Sequence, residues 1–178
     1  ISGTSVDIGG TIVAHGGSIA LGTRGQGSIQ EDNLPTFLRL APTGRLDASG
    51  LWVNDNGRSA DSLQGRSFID GGSVTLSSWK GAERTTDNTP DIAMAAGSVV
   101  DVSGGGYVDA GGHLAMQGNL PAGRGGDVTI ATHTDDGATR YSGNTSGPGD
   151  LLGGRIYLDG TFLAEGFAGG GIFSLHAP

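Results

Sequence analysis

The stretch GGDVTI, residues 125–130, decides how this chain is read. A glycine pair is followed by a polar residue and then by alternation, with Val128 and Ile130 in phase and Thr129 out of phase. That is a very short strand set off by a corner. The same shape begins at Gly16 (GGSIAL), Gly71 (GGSVTL), Gly111 (GGHLAM), Gly153 (GGRIYL) and Gly170 (GGIFSL), with a weaker copy, GGTIVA, at Gly9. Strands this short do not hold a hairpin sheet on their own. They become stable when each stacks on copies of itself, which is the logic of repeat proteins.

A second motif lies between the first: apolar, Asp, a small residue, then Gly. It reads LDASG at 46–50, VDVSGG at 100–105, VDAGG at 108–112 and LDG at 158–160, with FIDGG at 68–72 a shorter relative. VDAGGHLAM and FIDGGSVTL join the two motifs as strand, corner, strand. Glycine at a corner allows a positive φ, and Asp and Ser beside it can bond the backbone N–H groups of their own corner. Helices have little room. The longest glycine-free runs, 28–43 and 82–96, are broken by Pro35 and Pro42 and by Pro90, leaving room for at most one or two short helical turns, around Leu34–Leu40.

These patterns predict an all-β chain, a single-stranded right-handed parallel β-helix with the Val, Ile, Leu and Met of the motifs turned inward. With about 20 residues per turn, roughly seven or eight turns follow, a rod about 35–40 Å long. Residues 1–178 are expected to be one β-helix segment of a larger protein. Insertions are expected near 30–44, 53–66, 79–91 and 132–150, where polar or turn-rich sequence interrupts the repeats.

Composition limits function. Glycine supplies 36 of 178 residues without a Gly-X-Y period, which excludes collagen. The net charge of −8 repels phosphate backbones and anionic lipid, so neither nucleic acid nor a membrane surface is an expected partner; solubility is the plain account of the charge. Cysteine is absent, which removes disulfides, thiolate metal sites and cysteine nucleophiles. No apolar run approaches the roughly 18 residues of a membrane span, and ISGTSVDIGG at the start has no signal-peptide pattern.

Signals for chemistry are few. His15, His113, His133 and His176 show no zinc or metalloprotease spacing, and GxSxG is absent. Gly22–Gly27 contains glycines at phosphate-loop spacing but no GK[ST] and no following helix. Asp47, Asp70, Asp101, Asp109 and Asp159 recur at corners. In register they would form an acidic row able to hold Ca²⁺ or face a sugar, as in glycosidases; as corner caps they would be structural. Asp135 and Asp136 beside His133 form a small acidic loop. Two or more carboxylates converging in a groove beside Arg45, Arg124 or Arg155 would favour an enzyme. Trp52 and Trp79, at insertion edges, suit either pinning a loop or stacking on a sugar. Tyr107, Tyr141 and Tyr157 add polar rings, and Asn144-Thr145-Ser146 is a formal glycosylation sequon. No catalytic, cofactor-binding or metal-binding residue is assigned, and no cofactor is expected.

AAGSVVDVSGGG (95–106), GGDVTIAT (125–132) and GTFLAEGFAGGGIFSLHAP (160–178) resemble the filamentous haemagglutinin family of large bacterial exoproteins. The resemblance implies a passenger of two-partner secretion, exported by an outer-membrane pore partner and placed outside the cell or on its surface. It further implies an adhesin-like stalk or contact surface, with a host-surface protein or glycan as partner. The Asn-Pro motifs typical of that family's secretion domain are missing, so an internal or distal segment is expected. Arg124-Gly125-Gly126-Asp127 carries one glycine too many for an Arg-Gly-Asp motif, and no family functional residue transfers. The alternatives are a polysaccharide lyase or glycosidase, or a carbohydrate-binding module, on the same fold.

Overall fold

The computed structural model describes residues 1–25, 36–79, 89–132 and 154–177. Among these residues, apart from one short 3-10 helix, Ala60–Ser62, the regular structure is entirely β. After an initial strand β1 (Ser2–Gly3), the chain runs β2 (Ser5–Ile8), β3 (Thr11–Val13) and β4 (Ser18–Arg24). It continues through β5 (Phe37–Leu40), β6 (Arg45–Asp47), β7 (Trp52–Asn54) and β8 (Ser73–Trp79). Next come β9 (Asp91–Met94), β10 (Val99–Asp101), β11 (Gly106–Val108), β12 (Met116–Gln117), β13 (Leu120–Pro121) and β14 (Asp127–Ala131). The last three are β15 (Ile156–Leu158), β16 (Thr161–Leu163) and β17 (Phe173–His176).

Three open parallel sheets organise these strands, in the orders β2-β5-β9-β15, β3-β6-β10-β16 and β1-β4-β8-β14-β17. Among the described residues the chain visits them in that sequence four times, each pass adding one strand to each sheet. Register stacks like on like: Val6, Leu38 and Ile92; Ile12, Leu46, Val100 and Phe162; Ile19, Val74, Val128 and Phe173; Leu21, Leu76, Ile130 and Leu175. One apolar core draws on all three sheets, with Leu38, Leu46, Leu76, Ile92, Val100 and Ile130 fully buried. Each such side chain contributes roughly 1.5–3 kcal/mol by leaving water.

Four GG motifs, those at Gly16, Gly71, Gly125 and Gly170, lead the strands of one sheet. Their glycines serve close approach more than positive φ. A Cβ at Gly72 would overlap the Gly17 carbonyl oxygen, one at Gly126 the Gly72 oxygen, and one at Gly171 the Gly126 oxygen, while only Gly16 of these four pairs has a positive φ, +60°. Successive corners lie directly on one another and leave no room for a side chain.

Several expectations need correction. The described residues make four passes where seven or eight turns were expected, because register partners lie far apart in sequence: 32 residues from Ser5 to Phe37, 54 from Phe37 to Asp91, 64 from Ile92 to Ile156. The five-stranded sheet spans about 19 Å at 4.8 Å per strand, about half the expected rod length. Phe37–Leu40, placed inside the 30–44 insertion and in a helical turn, is a core strand, since Leu38 and Leu40 alternate inward between Pro35 and Pro42; residues 30–35 lie outside the described residues. Val53, placed in the 53–66 insertion, is buried in β7, and the chain leaves the sheets only afterwards. Trp79 ends β8 and Asp91 opens β9. Of the 132–150 insertion only Thr132, which is buried, is described.

GGHLAM is the clearest departure. Instead of an inward strand it begins an antiparallel excursion, in which Val108 bridges Leu114 and β12 pairs with β13. Leu114, Met116 and Leu120 are exposed. The physical cause is Asp109, whose Oδ1 accepts the N–H groups of Gly111 and His113 and folds the chain back on itself.

The links between strands are uneven. Between the first and second sheets the chain spends two to four residues on every pass. Between the second and third it spends four on the first pass, 25 on the second, 25 on the third and nine on the fourth. The two 25-residue links pair with each other through β7 and β11.

Candidate functional site

The corner aspartates fall into two groups. Asp47 and Asp101 close their own corners: Asp47 Oδ1 accepts from Ser49 N (3.1 Å) and Ser49 Oγ (2.6 Å), and Asp101 Oδ1 from Ser103 N (3.1 Å) and Ser103 Oγ (2.5 Å). Asp70 reaches forward to the next pass, where its Oδ1 accepts from Arg124 N at 2.8 Å. Asp91 and Asp127, not singled out in the sequence, do the same for Arg155 N (2.8 Å) and Ile172 N (2.9 Å). Each of these five aspartates therefore satisfies either its own backbone or that of the layer above.

Asp47 and Asp101 are register neighbours on β6 and β10, and both meet Arg45. Arg45 Nη2 lies 2.6 Å from Asp101 Oδ2 and 3.3 Å from Asp47 Oδ2. His15, one pass earlier, places Nδ1 3.2 Å from the Ser49 carbonyl oxygen and 3.7 Å from Asp47 Oδ1. Burial pushes the Asp47 carboxyl up, but the Ser49 hydroxyl and amide and the Arg45 guanidinium outweigh it and hold the pKa below the usual range. Two carboxylates thus meet beside a basic residue, which is half of the arrangement that would favour an enzyme; the other half is an open groove around them. Their oxygens, however, are already engaged by serines and by Arg45. Glycoside cleavage by such a pair needs one carboxyl held as an acid and another free to attack or to activate water.

The other sequence candidates are scattered. Asp109 is held below the usual carboxylate range by the His113 and Gly111 amides, with His113 Nδ1 3.4 Å away. His113 and His176 are exposed. Asp159 enters through its backbone, its N–H donating to Met94 O. Arg155 lies 4.0 Å from Asp91. Among the described residues, no three His, Asp or Glu side chains group so as to hold a metal ion, and no helix is long and apolar enough to cross a membrane. His133, Asp135, Asp136, Tyr141, Asn144 and the Gly27 end of the glycine loop lie outside the described residues.

Sequence reasoning missed Asp55, which is fully buried. Its carboxylate accepts from Gln64 N (3.0 Å), Gly65 N (2.8 Å) and the Tyr107 hydroxyl, with Arg58 Nε at 3.5 Å. Burial pushes this carboxyl up, and those four partners reverse the shift and hold it low. The available signal was phase: Asp55 stands two residues after inward Val53, so the strand turns it to the same side.

Aromatic side chains make the second constellation. Trp79 is half-buried and lies over Gly22, where a Cβ would overlap its ring. Trp52 differs: it points outward from β7 and is 61 % exposed. Its indole lies across Gly106, its register partner on β11; a Cβ there would fall 2.5 Å from Cζ3 and 2.7 Å from Cη2. Phe167, 51 % exposed, meets it edge-on, with ring centroids 5.6 Å apart and planes at 85°. The Phe167 loop is docked on the pass below, Ala168 N donating to Gly123 O and Gly104 N to Glu165 O.

No family model, no curated protein and no solved structure matches this chain.

Proposed function

We propose that the three parallel sheets are the faces of a single right-handed β-helix, and that the chain is a structural and adhesive segment of a secreted or cell-surface bacterial exoprotein. The observation that carries this reading is the fourfold visit to the same three sheets in the same order, with inward residues in register. A right-handed crossover is the rule for parallel strands. The resemblance to the filamentous haemagglutinin family points the same way, and with it export through an outer-membrane pore partner. The segment contributes only about 19 Å along its axis, while 25-residue links leave the sheets on the second and third passes. It is therefore better suited to presenting a contact surface than to serving as a plain spacer.

The carboxylates beside Arg45 are the observation in favour of a polysaccharide-acting enzyme, and their engagement as caps counts against it. One experiment separates the two. Beads coated with the chain are presented to host-cell layers, and the soluble chain is incubated with a polysaccharide panel and assayed for reducing sugar. Adhesion without sugar release supports the contact-surface reading; sugar release that disappears in Asp101→Asn overturns it in favour of the enzyme.

A further inference from the structure

The Trp52 ring is held as a platform rather than packed away. Three consecutive passes build it: Trp52 on the second, Gly106 beneath it on the third, Phe167 standing against it from the fourth. Gly106 has no positive φ, so its role is steric: it leaves the seat in which the indole rests. One face of the ring is thereby covered by backbone, and the rest of the 61 % exposed side chain faces solvent beside an upright phenyl wall. An exposed tryptophan fixed in this way is pre-organised, and little conformational entropy remains to be lost on binding.

Polar groups flank the platform. Asn54 lies on the same outward face of β7, two residues from Trp52, hence about 7 Å along the strand. Its Oδ1 accepts from Asn56 N at 3.0 Å, which fixes the amide and leaves its two N–H donors to other partners. The indole N–H makes no hydrogen bond among the described residues.

Size and charge select the occupant. At 150–250 Å² per aromatic side chain, the exposed parts of Trp52 and Phe167 together offer about 250 Å², well short of the roughly 800 Å² per partner of a stable protein interface. That area suits one ring. The chain's net charge of −8 disfavours an anionic ligand. A neutral pyranose has an apolar face of C–H groups for the indole and hydroxyls around its edge for the amide and the indole N–H.

We propose that Trp52 and Phe167, seated over Gly106 and flanked by Asn54, form a stacking subsite for a neutral hexose ring of an oligosaccharide. The subsite rests on the contact-surface reading and gives that surface a ligand class.

The test is a titration followed by the two indole N–H signals in ¹H–¹⁵N NMR spectra, assigned with Trp52→Phe. Cellohexaose, laminarihexaose and a β-1,4-galactohexaose are the probes, with hexagalacturonate as the anionic control and a proline-rich peptide as the protein-like control. At least one neutral oligomer is expected to shift the Trp52 signal, saturably, and to leave Trp79 in place. Trp52→Ala should weaken that binding at least tenfold. Gly106→Ala, which keeps the tryptophan and tilts it, should weaken it about fivefold. Circular dichroism of both variants reports whether the fold persists, and Asn54→Ala, exposed and outside the core, gives a third variant with an expected threefold loss. Silence of all three neutral oligomers overturns the proposal. So does equal or stronger binding of hexagalacturonate or of the peptide, or unchanged affinity in folded Trp52→Ala. Failure of the adhesive reading looks different: coated beads would not adhere while the Trp52 signal still shifted.

Discussion

Truncating leucine to alanine at three positions tests the register map. Leu76 is fully buried in the middle of a column, between Leu21 and Ile130. Leu175 closes the same column and is half-exposed, and Leu114 lies in the antiparallel excursion, outside every column. The chemistry of the three changes is identical, so burial alone separates them. At Leu76 both column neighbours, Leu21 and Ile130, are themselves fully buried in paired strands, so little collapse into the cavity is expected and the loss should be near the upper part of the usual range, about 3–5 kcal/mol. Leu175 already leaves about half its surface in water, so the lost transfer energy should be about half of a buried leucine's, roughly 0.8–1.5 kcal/mol. Leu114 should cost less than about 1 kcal/mol. For a chain of this size each kcal/mol lowers the melting midpoint by about 2–4 °C. Leu76→Ala should therefore melt about 6–20 °C below the parent chain, and Leu114→Ala within a few degrees of it. Far-UV circular dichroism melts measure all three. Equal losses at Leu76 and Leu114 would refute the column assignment, because they would place GGHLAM in the core beside GGSVTL.

Two further predictions follow from the corners. Gly72→Ala sets a Cβ against the Gly17 carbonyl oxygen, whereas Gly10→Ala meets nothing within 4 Å and needs no positive φ; the first should destabilise markedly, and the second should be neutral or stabilise by up to about 1 kcal/mol through the unfolded chain. Thermal melts of the pair show whether crowding or backbone conformation selects glycine at the stacked corners. Acid sensitivity is the other: Asp55, Asp47 and Asp109 have folded pKa values below the ordinary one, so between the folded values and about 3.9 the unfolded chain binds more protons. Their stabilisation is complete above about pH 5 and is lost as pH falls through the folded values. Urea midpoints from pH 7 to 2.5 should trace that fall, and Asp55→Asn should flatten part of it; an unchanged acid limb in that variant would remove Asp55 from the account.

Much of the fold is legible because period-two alternation and corner glycines are local signals. GGSIAL, GGSVTL, GGDVTI and GGIFSL look alike and do stack. GGHLAM looks like them and does not, and GGRIYL feeds the first sheet through β15 instead. Pattern alone does not say which copy lies on which, since that depends on what approaches each corner: backbone at Gly72 and Gly126, but only the Asp109 and His113 side chains at Gly111. The number of passes was not readable for a related reason. Links of 25 residues hide the return distance, and β5 was obscured by the prolines on either side of it. The candidate site shows the same division. Trp52 was visible as a polar-handled aromatic at an excursion's edge, while Phe167 and Gly106 join it only through register.

The distribution of the links gives the proposed contact surface a side. Where the first sheet passes to the second, every link is two to four residues long, too short to project a recognition loop. Where the second passes to the third, the chain expands to 25 residues on two adjacent passes. Those two links are not independent loops. Val53 pairs with Tyr107, the Tyr107 hydroxyl bonds buried Asp55, and Asp55 in turn holds Gln64 and Gly65. The two paired links are thus tied to each other by a buried carboxylate that directly follows the strand carrying Trp52 and Asn54. This acidic group is taken out of water with its partners drawn from the two paired links: Arg58, Gln64 and Gly65 from its own and Tyr107 from the next. A rigid link costs little order on binding, a floppy one much more. This corner, and not the bare one, is where a binding partner should be sought.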